Sequence, residues 1–392
     1  MQHLVNALRA LPADIADQAQ EPAVLEQLSD ATLVRATARA IERPKVERST
    51  SFTLHAPMEL LARAALLPLV QPPLRPRARL RIAAIAAQYA EGEEIAARNP
   101  SFPTAEAAEH SLLIALRDGD ADTADDAISF LAPKRSAQEL RALLADAVIP
   151  SLAAAAHAPI LLNALPGACA QFGGLSSLLR APVRALALDA ALKLTWVNGD
   201  QDDDGPDALF DALAAPAPVA SPHVFIAPTM LAVEACGHAA QILSRATAAV
   251  PLEDAARELM RIAALSMLQD DPAHAPYGWT HCLTMPQAVL GLATVSRDPR
   301  TCLRVAATYV LGFRATLGRT PLATGWTYPT PISGVAALAW SAATHRDAHL
   351  AKYTWACLNA AAEDPEARLL YLAAASNLAD WWEANPNAGF DL

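Results

Sequence analysis

Tyr277-Gly-Trp-Thr-His-Cys-Leu-Thr-Met-Pro-Gln-Ala-Val-Leu-Gly-Leu-Ala293 sets Trp279, Thr280, His281, Cys282 and Thr284 at the head of an apolar, helix-like run. Such side chains are costly beside a core unless hydrogen bonds or a ligand satisfy them. Outward from this stretch the chain reads as a succession of Ala- and Leu-rich helices, the residue types with the strongest helix preference. The expectation is an all-α fold, an irregular stack of helical hairpins, solenoid-like or closed, around an internal cavity into which this segment points.

The totals agree. Of 392 residues, 53% are hydrophobic and only 5% aromatic, and 15 glycines are too few for a fold built on Gly-rich βα turns. The 30 prolines punctuate helices. Thr104 to Leu131 reads as a hairpin of two helices, with Gly119 as the C-terminal cap of the first. No fixed period of 30–45 residues recurs, so the stack is irregular. No composition shift marks a linker. The expectation is one domain over residues 1–392 with sixteen or more helices, residues 1–50 forming a possible N-terminal extension.

Charge and cysteine usage narrow the partners. The net charge of −11 argues against nucleic acid, which calls for clustered positive charge. The one basic cluster, Arg75, Arg77, Arg79 and Arg81, reads as a solvated helix start. Five widely spaced cysteines with no CxxC suit a reduced, cytoplasmic chain, and the N-terminus shows no signal-peptide pattern. Residues 147–172 carry no formal charge, but Pro150, Pro159 and Pro166 divide them, with His157 and Asn163 between. Two or three buried helices are expected there, and no membrane span.

The common nucleotide and hydrolase fingerprints are missing: no GxGxxG, GxxxxGK[ST], GxSxG or HExxH. Histidines are the more informative feature. His55-Ala-Pro57, His157-Ala-Pro159 and His274-Ala-Pro276 each set an imidazole two residues before a proline. That position suits a helix entrance, where the positive end of the helix dipole keeps imidazole neutral. A neutral imidazole serves as base, donor or metal ligand, or merely ties off a loop. Glu59 follows His55 within one turn. Glu234 and His238 are four apart on an apolar stretch, so they would share one helix face, and Glu106 and His110 repeat the spacing. His345 and His349 have the same spacing but flank Arg346 and Asp347, and read as an exposed surface pair. Asp200-x-Asp202-x-Asp204-Gly205-x₅-Asp211 follows the calcium-loop pattern except for Asp at the last ligand, and reads as a solvated interhelical loop. Trp279, Thr280 and Thr284, with Trp326 and Tyr328 from the long loop 319–331, would suit a planar oxygenated ligand.

Three segments carry a family resemblance: Leu54-His-Ala-Pro-Met-Glu-Leu-Leu-Ala-Arg-Ala-Ala-Leu-Leu67, Ala156-His-Ala-Pro-Ile-Leu-Leu-Asn163 and Trp279-Thr-His-Cys-Leu-Thr284. In order and spread they resemble the questin-oxidase-like family. The resemblance implies an all-helical oxidoreductase that opens rings of anthraquinone-type polyketides with dioxygen and NADPH in a Baeyer–Villiger-like step. Carried over by position, it places His55, His157 and His281 in the active site. The expectation is therefore an enzyme with those three histidines as acid/base or metal-binding groups, oriented by Glu59 and Glu234–His238, acting on a small molecule. The cofactors it calls for are a transition metal or NADPH. The rival expectation is a non-catalytic α-solenoid scaffold with a long concave groove and exposed histidines.

Overall fold

The computed structural model describes residues 1–12, 14–17, 22–46, 51–96, 99–198, 208–221, 223, 225–248, 250–325, 327–329 and 331–388. Among them are nineteen α-helices and no strand, with two isolated bridges, Lys45 to Glu94 and Ser151 to Lys193. The first five helices are α1 (Gln2–Arg9), α2 (Ala23–Glu26), α3 (Asp30–Ile41), α4 (Ser51–Leu66) and α5 (Arg75–Tyr89). The middle of the chain holds α6 (Ala105–Asp118), α7 (Ala121–Leu131), α8 (Ala137–Val148), α9 (Ala158–Phe172) and α10 (Arg180–Leu188). Next come α11 (Leu209–Ala214), α12 (Ile226–Ala235), α13 (His238–Ala248), α14 (Leu252–Gln269) and α15 (Thr280–Gly291). The last are α16 (Pro299–Leu317), α17 (Val335–Thr344), α18 (Ala348–Glu363) and α19 (Arg368–Ala384).

Local sequence sets the ends. Ser136 and Glu139 form a reciprocal capping box at the start of α8, and Asp120, Asp298 and Asp347 accept backbone N–H groups at the starts of α7, α16 and α18. Gly119 closes α6 in the left-handed region (φ 84°), as its place in the sequence predicts. No helix among the described residues is long and apolar enough to cross a membrane, and residues 147–172 divide into the end of α8, a short 3₁₀ turn and α9. The N-terminal helices are not detached from the rest: α1 packs on α3 and α5, and α3 packs on α4.

One expectation about charge needs correction. Arg79 is buried rather than solvated, and donates to the carboxylate of Asp30 and to the carbonyls of Leu25 (2.5 Å) and Leu28 (2.7 Å). These carbonyls lie around the α2–α3 turn, so a buried guanidinium ties the N-terminal helices to α5. Arg81 likewise donates to Thr344 O at 2.9 Å, at the end of α17. The acidic loop falls outside the described residues as far as position 207; Asp211 lies in α11.

At the centre, α4, α9, α15 and α18 form a closed ring. α4 packs on α9 and α18, and α15 packs on the same two helices from the other side. Each of the four carries one histidine in its first turns or at its cap: His55, His157, His281 and His349.

Candidate metal centre

Four imidazoles meet where the four helices begin, and all four are buried. Their rings form a quadrilateral. Centroid separations are 4.8 Å for His55–His157, 5.4 Å for His157–His281, 5.0 Å for His281–His349 and 4.7 Å for His349–His55.

The outer nitrogens are spoken for. His157 Nδ1 lies 3.1 Å from Ala154 O, His281 Nδ1 2.7 Å from Tyr277 O, and His349 Nδ1 3.1 Å from an Asp347 carboxylate oxygen. Neutral imidazole has one N–H, so donation from Nδ1 leaves a lone pair on Nε2. Those Nε2 atoms point inward. His281 Nε2 and His349 Nε2 have no hydrogen-bond partner, and neither does the buried Lys352 Nζ. His157 Nε2 lies 3.1 Å from His55 Nε2. One ring nitrogen each from His55, His281 and His349 fall within 4.8 Å of one another. Imidazoles bound to one ion at about 2.0–2.1 Å stand roughly 3–4 Å apart, so a small inward movement closes the set. A histidine ligand whose far N–H is held by a carboxylate or a backbone carbonyl is the usual outer arrangement of a metal site, and three of the four have it.

Local chain geometry builds these partners. Before α15 the chain makes one π-helical turn, Ala275–Trp279, which brings Tyr277 O under His281. π turns inside helices concentrate at functional sites. Gly278 lets that turn lie against α16, since a Cβ there would come within 2.4 Å of Leu317 Cδ1. Before α9, Ala154, Ala155 and Ala156 have φ of 51°, 51° and 55°. Left-handed conformations cost a non-glycine residue about 1–2 kcal/mol each, a strain that concentrates at functional sites. Here it turns the Ala154 carbonyl toward His157.

Electrostatics keep the cluster neutral. Burial pushes His55, His157 and His281 well below the ordinary histidine range, and Lys352 and the neighbouring imidazoles push the same way. His349 is lowered by burial and by Lys352, against Asp347 and Glu59. Burial takes the Lys352 amine down to about 8, opposed by the Asp347 and Glu59 carboxylates. Burial works against the Asp347 carboxylate too, but the charge of His349 and its hydrogen bonds hold it at about 2. The sign for stability follows. These histidines have folded pKa values below the unfolded value of about 6.5, so the unfolded chain binds more protons once the pH falls below it. Chelator-treated protein is expected to lose stability as pH drops below about 6.5, by about 1.4 kcal/mol per unit for each such histidine, and to show no histidine contribution above that pH. Urea midpoints at pH 5.5 and 7.5 check this.

Beside the cluster lies a largely apolar pocket of about 490 Å³, with Leu54, Ala154, Phe225 and Tyr277 in its wall and Lys45, Arg184 and Asp189 also lining it. That is the size of a small-molecule site. Tyr277 belongs to both: its ring centroid is 4.6 Å from His281, 6.1 Å from His349 and 6.2 Å from Phe225. Phe225 and Leu188 are about half exposed at the mouth.

The structure thus brings His55, His157 and His281 together, as expected from the sequence. Glu59 is close by but engaged with Arg63 (2.7 Å to Nε). Glu234 and His238 do not share a face, because the helix breaks at Cys236-Gly237 (Gly237 φ 76°) and His238 begins α13. Glu234 accepts from Thr195 and Trp196 backbone N–H groups and joins no histidine. His274 packs edge-on to Trp279, away from the ring. Trp279 is wholly buried and its Nε1 donates to Asp271 O, so it is core and not a ligand wall. Thr280 and Thr284 donate to carbonyls of their own helical turns. Tyr328 lines a separate surface groove with Arg257 and Arg261, and Trp326 lies outside the described residues. Glu106 pairs with Arg135, and His110 is exposed.

The sequence points to an exposed pair at His345 and His349 flanking Asp347, and gives no role to Lys352. His349 is the correction of most consequence: the spacing to His345 suggested a surface pair, yet His349 closes the ring while His345 packs at a tilt on Trp382 and accepts from Asp347 N–H. A usable signal was present in Asp347-Ala-His349-Leu-Ala-Lys352-Tyr-Thr-Trp-Ala-Cys-Leu358, where an Asp cap, a His and a Lys interrupt an otherwise apolar helix. No protein-family model, curated protein or solved structure matches this chain.

Proposed function

We propose that the chain is a metal-dependent oxidoreductase acting on a planar, oxygenated small molecule held in the apolar pocket beside the histidines. The observation that carries this reading is the set of inward, buried Nε2 lone pairs whose Nδ1 atoms are already tied. Two such lone pairs and a buried amine with no protein partner are expensive, and a cation satisfies the imidazoles at once. The donor set is all nitrogen. Imidazole suits iron, copper, zinc and nickel and disfavours calcium or magnesium. His55, His281 and His349 would hold the ion, with His157 as a fourth donor. A bound iron or copper would supply dioxygen binding and one-electron chemistry.

The protein's own part is positioning. Four helix N-termini converge on the cluster, a field that holds the imidazoles neutral and favours an anionic oxygen on the ligand. Tyr277 and Phe225 offer flat faces for a ring system between solvent and histidines. Asp347 balances charge through His349. Lys352, an ammonium below about pH 8, can stabilise a phenolate oxygen, and above that pH its free amine can take a proton from an acidic phenol. The scaffold reading calls for exposed histidines, and burial of all four counts against it.

The test is the metal content of protein purified without added metal or chelator, with its visible spectrum. About one iron or copper per chain is the expected result. Zinc alone would redirect the reading to hydrolytic chemistry, and metal-free protein that fails to bind any of these ions would overturn it. Oxygen uptake with polyphenolic substrates, with and without NADPH, then shows whether the reductant implied by the resemblance is needed.

A further inference from the structure

The four histidine helices continue past the ring in a common pattern. The residues three positions beyond each histidine are Met58, Ile160, Thr284 and Lys352, and all four line one small chamber of about 40 Å³. Three residues is close to one helical turn, so the chamber is the next layer down inside the ring. All four helices therefore run away from the histidines toward it, and the apolar pocket with Leu54, Ala154 and Tyr277 lies at their heads. The next turn adds Asn163 from α9, Gln287 and Ala288 from α15, and Ala356 and Asn359 from α18. Asn163, Gln287 and Asn359 are shared with an outer vestibule of about 410 Å³, where Arg141, Gly291 and Glu363 also stand. The ring thus has a cavity at each end: a wide one at the helix heads, and a small chamber one turn down that shares Asn163, Gln287 and Asn359 with the outer vestibule.

Polar atoms along the chamber and vestibule are held ready for solvent. Gln287 Nε2 donates to Ala356 O at 2.9 Å, which fixes the amide and leaves its oxygen available. Arg141 donates to Asn163 Oδ1 (3.3 Å) and to Gly291 O. Gly291 makes room for this: a Cβ there would meet the Asn163 amide at 2.4 Å. At the inner end Lys352 Nζ is buried with no protein partner. A chamber of 40 Å³ holds about two or three waters, since one needs roughly 10–15 Å³ and two to four polar partners.

We propose that this small chamber is a water channel: a file of waters enters between Gln287 and Asn359 and ends on Lys352 Nζ. Water-sized species then reach the histidines from one end while an organic ligand fills the other. The use of the channel rests on the histidine cluster being the reaction centre; its existence does not, and the tests below involve no metal.

A high-resolution crystal structure of the purified chain is the first. Ordered waters are expected from Asn359 to Lys352, the innermost at about 2.8–3.0 Å from Nζ. In Lys352→Met that innermost water should vanish while those near Asn163 and Gln287 remain. A dry chamber in the wild type, with Nζ bonded only to protein, overturns the channel whatever metal analysis gives. The second test is in solution. Ala356→Cys places a thiol on the chamber wall beside Cys357, which is buried and lines no passage. With hydrogen peroxide, a water-sized oxidant, the new thiol should be oxidised at least about tenfold faster than Cys357, read peptide by peptide by mass spectrometry. Adding Asn359→Phe at the mouth should remove the difference. Equal rates in Ala356→Cys, or a difference that survives the plug, overturn the proposal.

Discussion

His281→Ala is expected to cut metal affinity by at least about 100-fold and to abolish turnover while the fold persists. Loss of an outer partner of a ligand already costs a metal site about 10–100-fold, and His281 supplies a ligand atom itself. Unfolding is not expected. The imidazole leaves a void costing on the order of 2–5 kcal/mol, while Tyr277 O keeps the Thr280 hydroxyl as a donor at 2.7 Å. Against this, one buried unsatisfied nitrogen disappears. His349→Ala should act alike. His274→Ala is the control: it stands over Trp279 outside the ring, and it should keep its metal. Metal analysis and circular dichroism on the three variants read both halves. A His281→Ala protein with full metal content and a normal rate would remove the metal reading.

The effect is large because of how the four helices share the work. No two of the histidines come from one helix, so the ring exists only when α4, α9, α15 and α18 are packed together. That explains what could be read in advance. The helical class was legible because Ala, Leu and the proline punctuation act locally, and the Gly119 cap can be placed from a few neighbours. His55 and His157 were legible because each precedes a proline at a helix entrance. His281 stood out among its polar neighbours, although its partner, the Tyr277 carbonyl, depends on a π turn that no residue pattern announces. His349 was not legible. Its spacing to His345 looked like a surface pair, and its burial comes from α4 and α15, elements far away in the chain. Glu234 and His238 erred the opposite way: i,i+4 spacing implies a shared face only in an unbroken helix, and Gly237 breaks it.

Arg63 carries the second large expectation, this time on stability. Its side chain is fully buried and its guanidinium makes five contacts. Nε donates to Glu59 at 2.7 Å, and a terminal nitrogen lies 2.6 Å from the same carboxylate. The other bonds go to Ala342 O (3.1 Å), Ala343 O (2.9 Å) and His345 O (2.8 Å). Those carbonyls close α17 and lead into the Asp347 cap of α18, so Arg63 fixes the segment that aims His349. Arg63→Met keeps the length and removes the charge. It strands a buried carboxylate and three carbonyls, and breaking a buried pair on one side costs about 3–5 kcal/mol. The urea midpoint should fall accordingly with an unchanged m-value. Arg63→Met with Glu59→Leu should recover only part of the loss, because the stranded charge is gone but the carbonyls still lack donors. Metal affinity should drop in both, though neither residue is a ligand, through the loosened Asp347–His349 segment. Glu59→Gln separates the roles. If Glu59 acts only by holding Arg63, the amide oxygen still accepts and the metal stays bound, at a smaller cost in stability. If metal is lost while the urea midpoint holds, Glu59 belongs to the site itself.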